Sequence, residues 1–289
     1  MTPLFLLRKW LYHLAAQRVR QKLAKTAQPR EPADTPPPDD PEAAAMPCQV
    51  AVLFALPIEA GGFDDRLRDP VTLRGPSITV RRGVLDQCRV VSAVSGAGRA
   101  AAAKACEAVI DVHRPAWLIS AGFAGGLHPE LRRHDLLMAD RLVDAEGNRL
   151  GLDLKVDAEA LAGTPGVHVG RLLTVDRVVR TTAQKRALAK RFEAAAVDME
   201  TFAVAEACRR RKVRFLAVRV INDALDDELP PDVERLLMQT STAGRWGAAA
   251  GAVWRRPSAV RDFYRLREDA ILASERLATF LAGMISQLG

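Results

Sequence analysis

The chain has 289 residues, 48% of them hydrophobic, enough material for one large or two small globular domains. Its net charge of +7 sits in an N-terminal arm: residues 1–30 hold seven basic residues and no acid, and the rest balances 35 basic against 35 acidic residues. That neutral body, with 5% aromatics, argues against a nucleic-acid partner, and four scattered cysteines without CxxC spacing argue against a zinc site or a disulfide framework and fit a reducing cytoplasm.

Residues 3–27, "PLFLLRKWLYHLAAQRVRQKLAKTA", read as a basic amphipathic helix, with Leu4, Leu7, Leu11 and Leu14 at helical spacing. The apolar run is too short to span a bilayer, and the charges follow it where a signal peptide would place them first. Two readings stay open: an interfacial helix lying on an anionic membrane with Trp10 and Tyr12 at headgroup level, or a solvated extension. Residues 29–47 carry seven prolines and read as a disordered linker, so the chain divides into an arm (1–28), a linker (29–47) and a folded domain (48–289).

Within the domain, strands and helices alternate. "QVAVLFAL" (49–56) is a short β run, and "SITVRRGVL" with "CRVVSAVSG" forms a hairpin-like pair. A helix over 98–114, strands over 116–126 and 135–144, a helix over 198–212 and a strand over 213–223 follow. Residues 260–288 form an amphipathic C-terminal helix whose apolar stripe serves core or dimer packing. The alternation predicts an α/β fold with a mixed central sheet.

Two glycine-rich segments follow buried strands. "VSAVSGAGRAAAA" (91–103), with Gly96 and Gly98, has the outline of a dinucleotide fingerprint, but the next strand ends "LISAGFAGG" without the acid that would hold a ribose, which disfavours a nicotinamide or flavin enzyme. The residual reading is a turn whose amides face a small polar ligand at a helix N-terminus. "SAGFAGGL" (120–127) is read as a second loop, in which Gly122, Gly125 and Gly126 permit positive φ and close approach. Carboxylates stand near both. Glu59 follows the first strand, Asp198 and Glu200 open a helix beside Met199, and Asp223 ends a buried strand. Asp198 reads as a helix-capping acid. Glu59, Glu200 and Asp223 converge from three distant segments on one sheet edge, an arrangement suited to chemistry on a sugar.

"VAVLFALPIEA", "SGAGRAAAAKA", "ISAGFAGGL", "AAAVDMETFAVAEAC" and "FLAVRVINDALDD" resemble, in order and spacing, the purine and uridine phosphorylase superfamily over about residues 48–228. They look most like its nucleosidase branch, the methylthioadenosine/S-adenosylhomocysteine nucleosidases. The resemblance implies a three-layer α/β/α sandwich around a mixed sheet, a homodimer, a small nucleoside substrate, and no cofactor or metal. It assigns Asp223 to protonation of purine N7, Glu59 to activation of water, Glu200 to the ribose hydroxyls, Met199 to packing under the sugar, and Arg219 to the neighbourhood of the nucleophile. Gly96, Gly98, Gly122, Phe123, Ala124 and Val178 complete the implied binding set.

The phosphorylases carry a phosphate-binding arginine where this chain has Ser120, so water is the expected nucleophile, and Arg99 reads as a surface helix residue. Three departures stand out: Phe123 in place of a serine, Asn222 before the catalytic acid where serine is usual, and Val178 in place of the aromatic that stacks on adenine. With "DDELPPD" and the basic arm, they resemble the hopanoid-pathway enzymes that remove adenine from adenosylhopane. Phosphorolysis of such a lipid-linked nucleoside is the alternative activity, a cytoplasmic protein peripheral to the membrane the alternative location, and a non-catalytic nucleoside sensor the further alternative.

Overall fold

The computed structural model describes residues 47–152, 164–230 and 259–288. The expected N-terminal helix and the proline-rich stretch lie outside the described residues, Pro47 excepted. Fifteen elements are described, in chain order β1 (Val50–Phe54), α1 (Pro57–Asp64), β2 (Arg68–Arg74), β3 (Thr79–Leu85), β4 (Cys88–Val94), α2 (Arg99–His113), β5 (Trp117–Gly126), β6 (Leu136–Asp144), β7 (Arg149–Gly151), β8 (Val167–Thr174), α3 (Thr182–Phe192), β9 (Ala196–Asp198), α4 (Thr201–Arg211), β10 (Arg214–Asp223) and α5 (Ala259–Ile285).

The strands form one mixed sheet. β4, β1, β5 and β10 run parallel at its centre, and β1, Val-Ala-Val-Leu-Phe, is buried at every position, as a strand covered on both faces must be. Its side chains alternate between two cores. Val50, Val52 and Phe54 join Ala60 and Phe63 of α1 and Leu277, Leu281 and Ile285 of α5. Ala51 and Leu53 join Ala102, Cys106 and Val109 of α2 and Val204 and Cys208 of α4. The result is three layers, α1 and α5 on one face and α2 and α4 on the other. The C-terminal helix is thus part of the core.

β3 and β4 form the expected antiparallel hairpin, with Asp86 at φ 54° in its two-residue turn. β2 extends the hairpin as an exposed edge strand despite Pro70, a residue that edges tolerate because no neighbour needs its missing N–H. At the other side the sheet closes on itself: β5 pairs with β10, β10 with β6, β6 with β8, β8 with β9, and β9 returns to β5. β5 is long enough to serve both parts. Its Trp117–Ser120 half lies against β1, and its Gly125–Gly126 end lies against β9.

Two expectations are corrected. The helix expected over 198–212 begins at Thr201, because Asp198 belongs to β9 and Glu200 is the N-cap of α4. The segment 120–126, read both as the end of a strand over 116–126 and as a glycine loop, is strand as the first reading has it, and Gly122, Gly125 and Gly126 keep negative or extended φ where the loop reading expects positive φ.

Candidate active site

β1 ends at Phe54, where its pairing with β5 stops at Ser120. Beyond that point β5 continues without its neighbour, and a crevice opens at the carboxyl ends of the parallel strands, where open α/β sheets bind ligands. The Phe123 N–H, left without β1, donates to Glu59 Oε1 at 2.8 Å. Glu59 is the third residue of α1, which starts at Pro57, and its Oε2 accepts the N–H groups of Ala55 (3.0 Å) and Leu56 (2.7 Å). Glu59 is buried, and burial raises its pKa against the pull of these three N–H groups and of nearby Arg219.

The glycines of β5 give the carboxylates their room. A Cβ on Gly122 would stand 2.8 Å from Glu59 Oε1, and one on Gly125 would stand 3.1 Å from Asp223 Oδ2. Their role is close approach, not unusual φ. The first glycine turn differs. Gly96 (φ 85°) and Gly98 (φ 98°) do require the freedom of glycine, and the Gly98 N–H donates to Glu200 Oε1 at 2.7 Å. Gly96 and Gly98, both expected to bind substrate, shape this turn without lining the chamber, whose wall here is Ala97. Burial and the neighbouring charge of Asp198 push the pKa of Glu200 up to about 8.

Asp223 closes β10. Its carboxyl is buried, which raises its pKa, and Lys185 of α3 opposes that shift. Lys185 Nζ lies 2.6 Å from Asp223 Oδ2, an ion contact off the hydrogen-bond line. Sequence reading missed Lys185. The available signal was "TTAQK": Thr181 accepts the Gln184 N–H at 3.2 Å and Gln184 accepts the Thr181 N–H at 3.1 Å, a capping box that announces α3.

Glu59, Phe123, Ala124, Gly125, Val178, Met199, Glu200, Asn222 and Asp223 line one chamber of about 330 Å³, otherwise walled mainly by Leu56, Ile58, Val175, Val179, Val197 and Leu229, with Arg177, Asp198 and Arg267 as its further charged residues. Glu59, Phe123 and Glu200 also line a recess of about 10 Å³ with Ser95, Ser120, Gly122 and Arg219, room for about one water molecule. Arg219 lines only the recess, and every N–H of its guanidinium is committed. Nε and Nη2 donate to Asp198 Oδ2 (3.1 and 2.8 Å), Nη2 also to Ser120 Oγ (2.8 Å) and Thr201 Oγ1 (2.6 Å), and Nη1 to the carbonyls of Ser120 and Val218 (both 2.9 Å). Asp198 is therefore more than a capping acid. It does accept the Thr201 N–H at 3.0 Å, but it is also the buried counter-ion of Arg219. Arg99 stands outside the chamber lining, tied to Asp176 (2.6 Å) and Glu146 (3.4 Å). Among the described residues no cluster of His, Cys, Asp and Glu could hold a metal ion.

The family model described as "Phosphorylase superfamily" matches residues 49–244. A 5′-methylthioadenosine/S-adenosylhomocysteine nucleosidase from Staphylococcus haemolyticus is 26% identical over 209 residues, 65% of this chain and 92% of that protein. A futalosine hydrolase mutant from Helicobacter pylori superposes with a TM-score of 0.63 at 18% identity, covering 82% of this chain and 98% of that one. The 5′-methylthioadenosine/S-adenosylhomocysteine nucleosidase of Neisseria meningitidis, in complex with methylthio-immucillin-A, gives 0.62 at 21% identity, with 82% and 98% covered. The two superpositions establish likeness of fold.

Proposed function

The chain belongs to the phosphorylase superfamily, and from that premise we propose that it hydrolyses the N-glycosidic bond of a purine nucleoside, an adenine nucleoside first among them. The observation that carries this reading is the convergence of three carboxyls, Glu59 and Asp223 buried and Glu200 half-buried, on one chamber. The relatives support it: one is named a nucleosidase acting on adenine nucleosides, and a fold neighbour is named a hydrolase.

In this reading the C1′–N9 bond breaks with its electron pair passing to the base. Asp223 gives its proton to N7, so the base leaves neutral and Asp223 becomes a carboxylate. Water adds to the oxocarbenium-like C1′ and passes its proton to Glu59, which starts as a carboxylate held by three N–H groups. Solvent resets the two acids after product leaves. Glu200 receives the ribose hydroxyls, and Met199 packs beneath the ring. Water is favoured over phosphate at Glu59 because the recess there holds about one water, Arg219 has no N–H to spare and Arg99 is paired with two acids; Arg177 and Arg267, which also line the chamber, are the cations a phosphate would have to use.

The apolar walls, with Val178 where an aromatic would stack, favour a sugar carrying an apolar 5′ substituent, the class to which lipid-linked nucleosides such as adenosylhopane belong. A homodimer, and membrane contact through residues 3–27, belong to the same proposal, and sedimentation with and without anionic vesicles tests both. The reaction itself is tested by base release from a nucleoside panel, with and without phosphate. Free ribose formed without phosphate supports hydrolysis. A strict phosphate requirement with sugar-1-phosphate as product overturns it, and binding without turnover across the panel would favour a sensor.

A further inference from the structure

Lys185 sits on α3 with none of its side chain exposed. Its ammonium has three N–H bonds to satisfy. Two go to backbone carbonyls, Ala224 O at 2.5 Å and Asp227 O at 2.9 Å, and the ammonium faces Asp223 Oδ2 at 2.6 Å. A buried lysine is expensive to keep charged without polar partners or a counter-charge; here two carbonyls hold the ammonium, and the carboxyl at the end of β10 becomes its counter-charge once ionised. The surrounding charges form a closed set. Asp227, in the turn after β10, accepts the Ala224 N–H at 2.7 Å and pairs with Arg133 at 2.7 Å, and Arg133 pairs in turn with Asp269 of α5 at 2.6 Å. Lys185 is the cation in direct contact with Asp223, and Arg133 is occupied by the two other acids.

We propose that Lys185 is the positioning residue of the leaving-group acid: its buried ammonium fixes the Asp223 carboxyl and balances the negative charge left there when the proton passes to the departing base. The inference rests on the hydrolytic reading above. Lys185 itself gives up no proton. The pair begins as carboxylic acid beside ammonium and ends as carboxylate beside ammonium, with the proton on N7. Burial alone would make Asp223 too weak an acid to release that proton, and the ammonium offsets this, in keeping with the opposing effects of burial and Lys185 on its pKa.

The test compares K185Q, which can still donate to the two carbonyls but lacks the charge, with K185R, which keeps it. Each is assayed on a purine nucleoside and on 4-nitrophenyl riboside, whose leaving group needs no protonation. K185Q is expected to lose at least about tenfold in kcat on the purine nucleoside and to move the alkaline limb of its pH profile upward by about one unit or more, because removing a contacting cation weakens the acid by that order. Its turnover of 4-nitrophenyl riboside should stay within about threefold of wild type. K185R should keep the limb near its wild-type position. A limb that does not move in K185Q, or an equal loss on both substrates, overturns the inference and leaves Lys185 a packing residue. If K185Q does not fold by circular dichroism, K185M, similar in length and uncharged, takes the same two readouts. D223N separates this inference from the function beneath it. Retained purine release in D223N overturns the acid role itself, whereas a dead D223N beside an unaltered K185Q overturns only the role of Lys185.

Discussion

Glu59, Glu200 and Asp223 share a property that surface acids lack: burial disfavours their charge, and each has its pKa raised. The roles proposed for Glu59 and Asp223 need opposite forms. Glu59 must be ionised, so activity is lost as pH falls through its pKa. Asp223 must be protonated, so activity is lost as pH rises through its own. With both raised, the bell-shaped kcat profile should lie to the alkaline side of that set by ordinary carboxyls, which steady-state kinetics across pH 4–10 would check. E59Q and D223N should each lower kcat by about 10²-fold or more while leaving the fold intact by circular dichroism. Glu200 makes a separate prediction about stability. Its raised pKa means the fold favours the neutral acid, so that contribution is complete below the unfolded value of 4.5 and is lost as pH rises through about 8. E200Q, neutral throughout, should therefore match wild type near pH 4 and melt higher above pH 8, by on the order of 1 kcal/mol or more, while losing affinity for the sugar. Thermal melts at the two pH values decide it.

At the scale of elements, β5 and α3 do the positioning. β5 places Gly122 behind Glu59 and Gly125 behind Asp223, so each acid rests against a strand with no Cβ in its way. G122A would drive a methyl to 2.8 Å from Glu59 Oε1. It should cost about 1–3 kcal/mol of stability by overpacking and lower kcat by about 10²-fold through displacement of the base, measurable by denaturation and kinetics on one preparation. α3 carries Lys185 to Asp223, and its first turn depends on the Thr181–Gln184 capping box. T181A should cost about 1 kcal/mol of stability. Neither element was fully legible in the sequence. "SAGFAGG" reads as strand end and as glycine loop at once, because glycine is a loop residue by propensity, and only the approach of two carboxylates from elsewhere explains glycine in a strand. α3 is short and charged, with only Lys185 and Phe192 buried, so its periodicity is weak.

At the scale of the whole molecule, the C-terminal helix holds Glu59 in place. Ser274 Oγ accepts the Gly62 N–H at 3.1 Å and donates to the Glu59 carbonyl at 3.2 Å, tying α5 to α1. A Cβ on Gly62 would lie 3.0 Å from Glu275 Oε1 and 3.1 Å from the Ser274 carbonyl, which marks close contact of the two helices. Leu277 and Leu281 are fully buried against the sheet, and L281A should lose about 2–5 kcal/mol in chemical denaturation, as a core leucine does. A helix used only for dimer or membrane contact would not respond in this way.

The sequence by itself determined the alternation of strands and helices, the buried central strands and the acids at their ends, because these are local patterns of apolar period and turn chemistry. It also carried the motifs that match the family over residues 49–244. Only the tertiary structure decided what those acids meet. Asp198 read as a helix cap and is the partner of a fully committed Arg219, and Lys185, an ordinary helix lysine by sequence, is sealed against Asp223 from 38 positions away along the chain, a distance that no local pattern spans. The physical reason is that a buried charge is tolerable only beside its partner, and the partner is chosen by sheet closure, which brings together residues that sequence keeps apart.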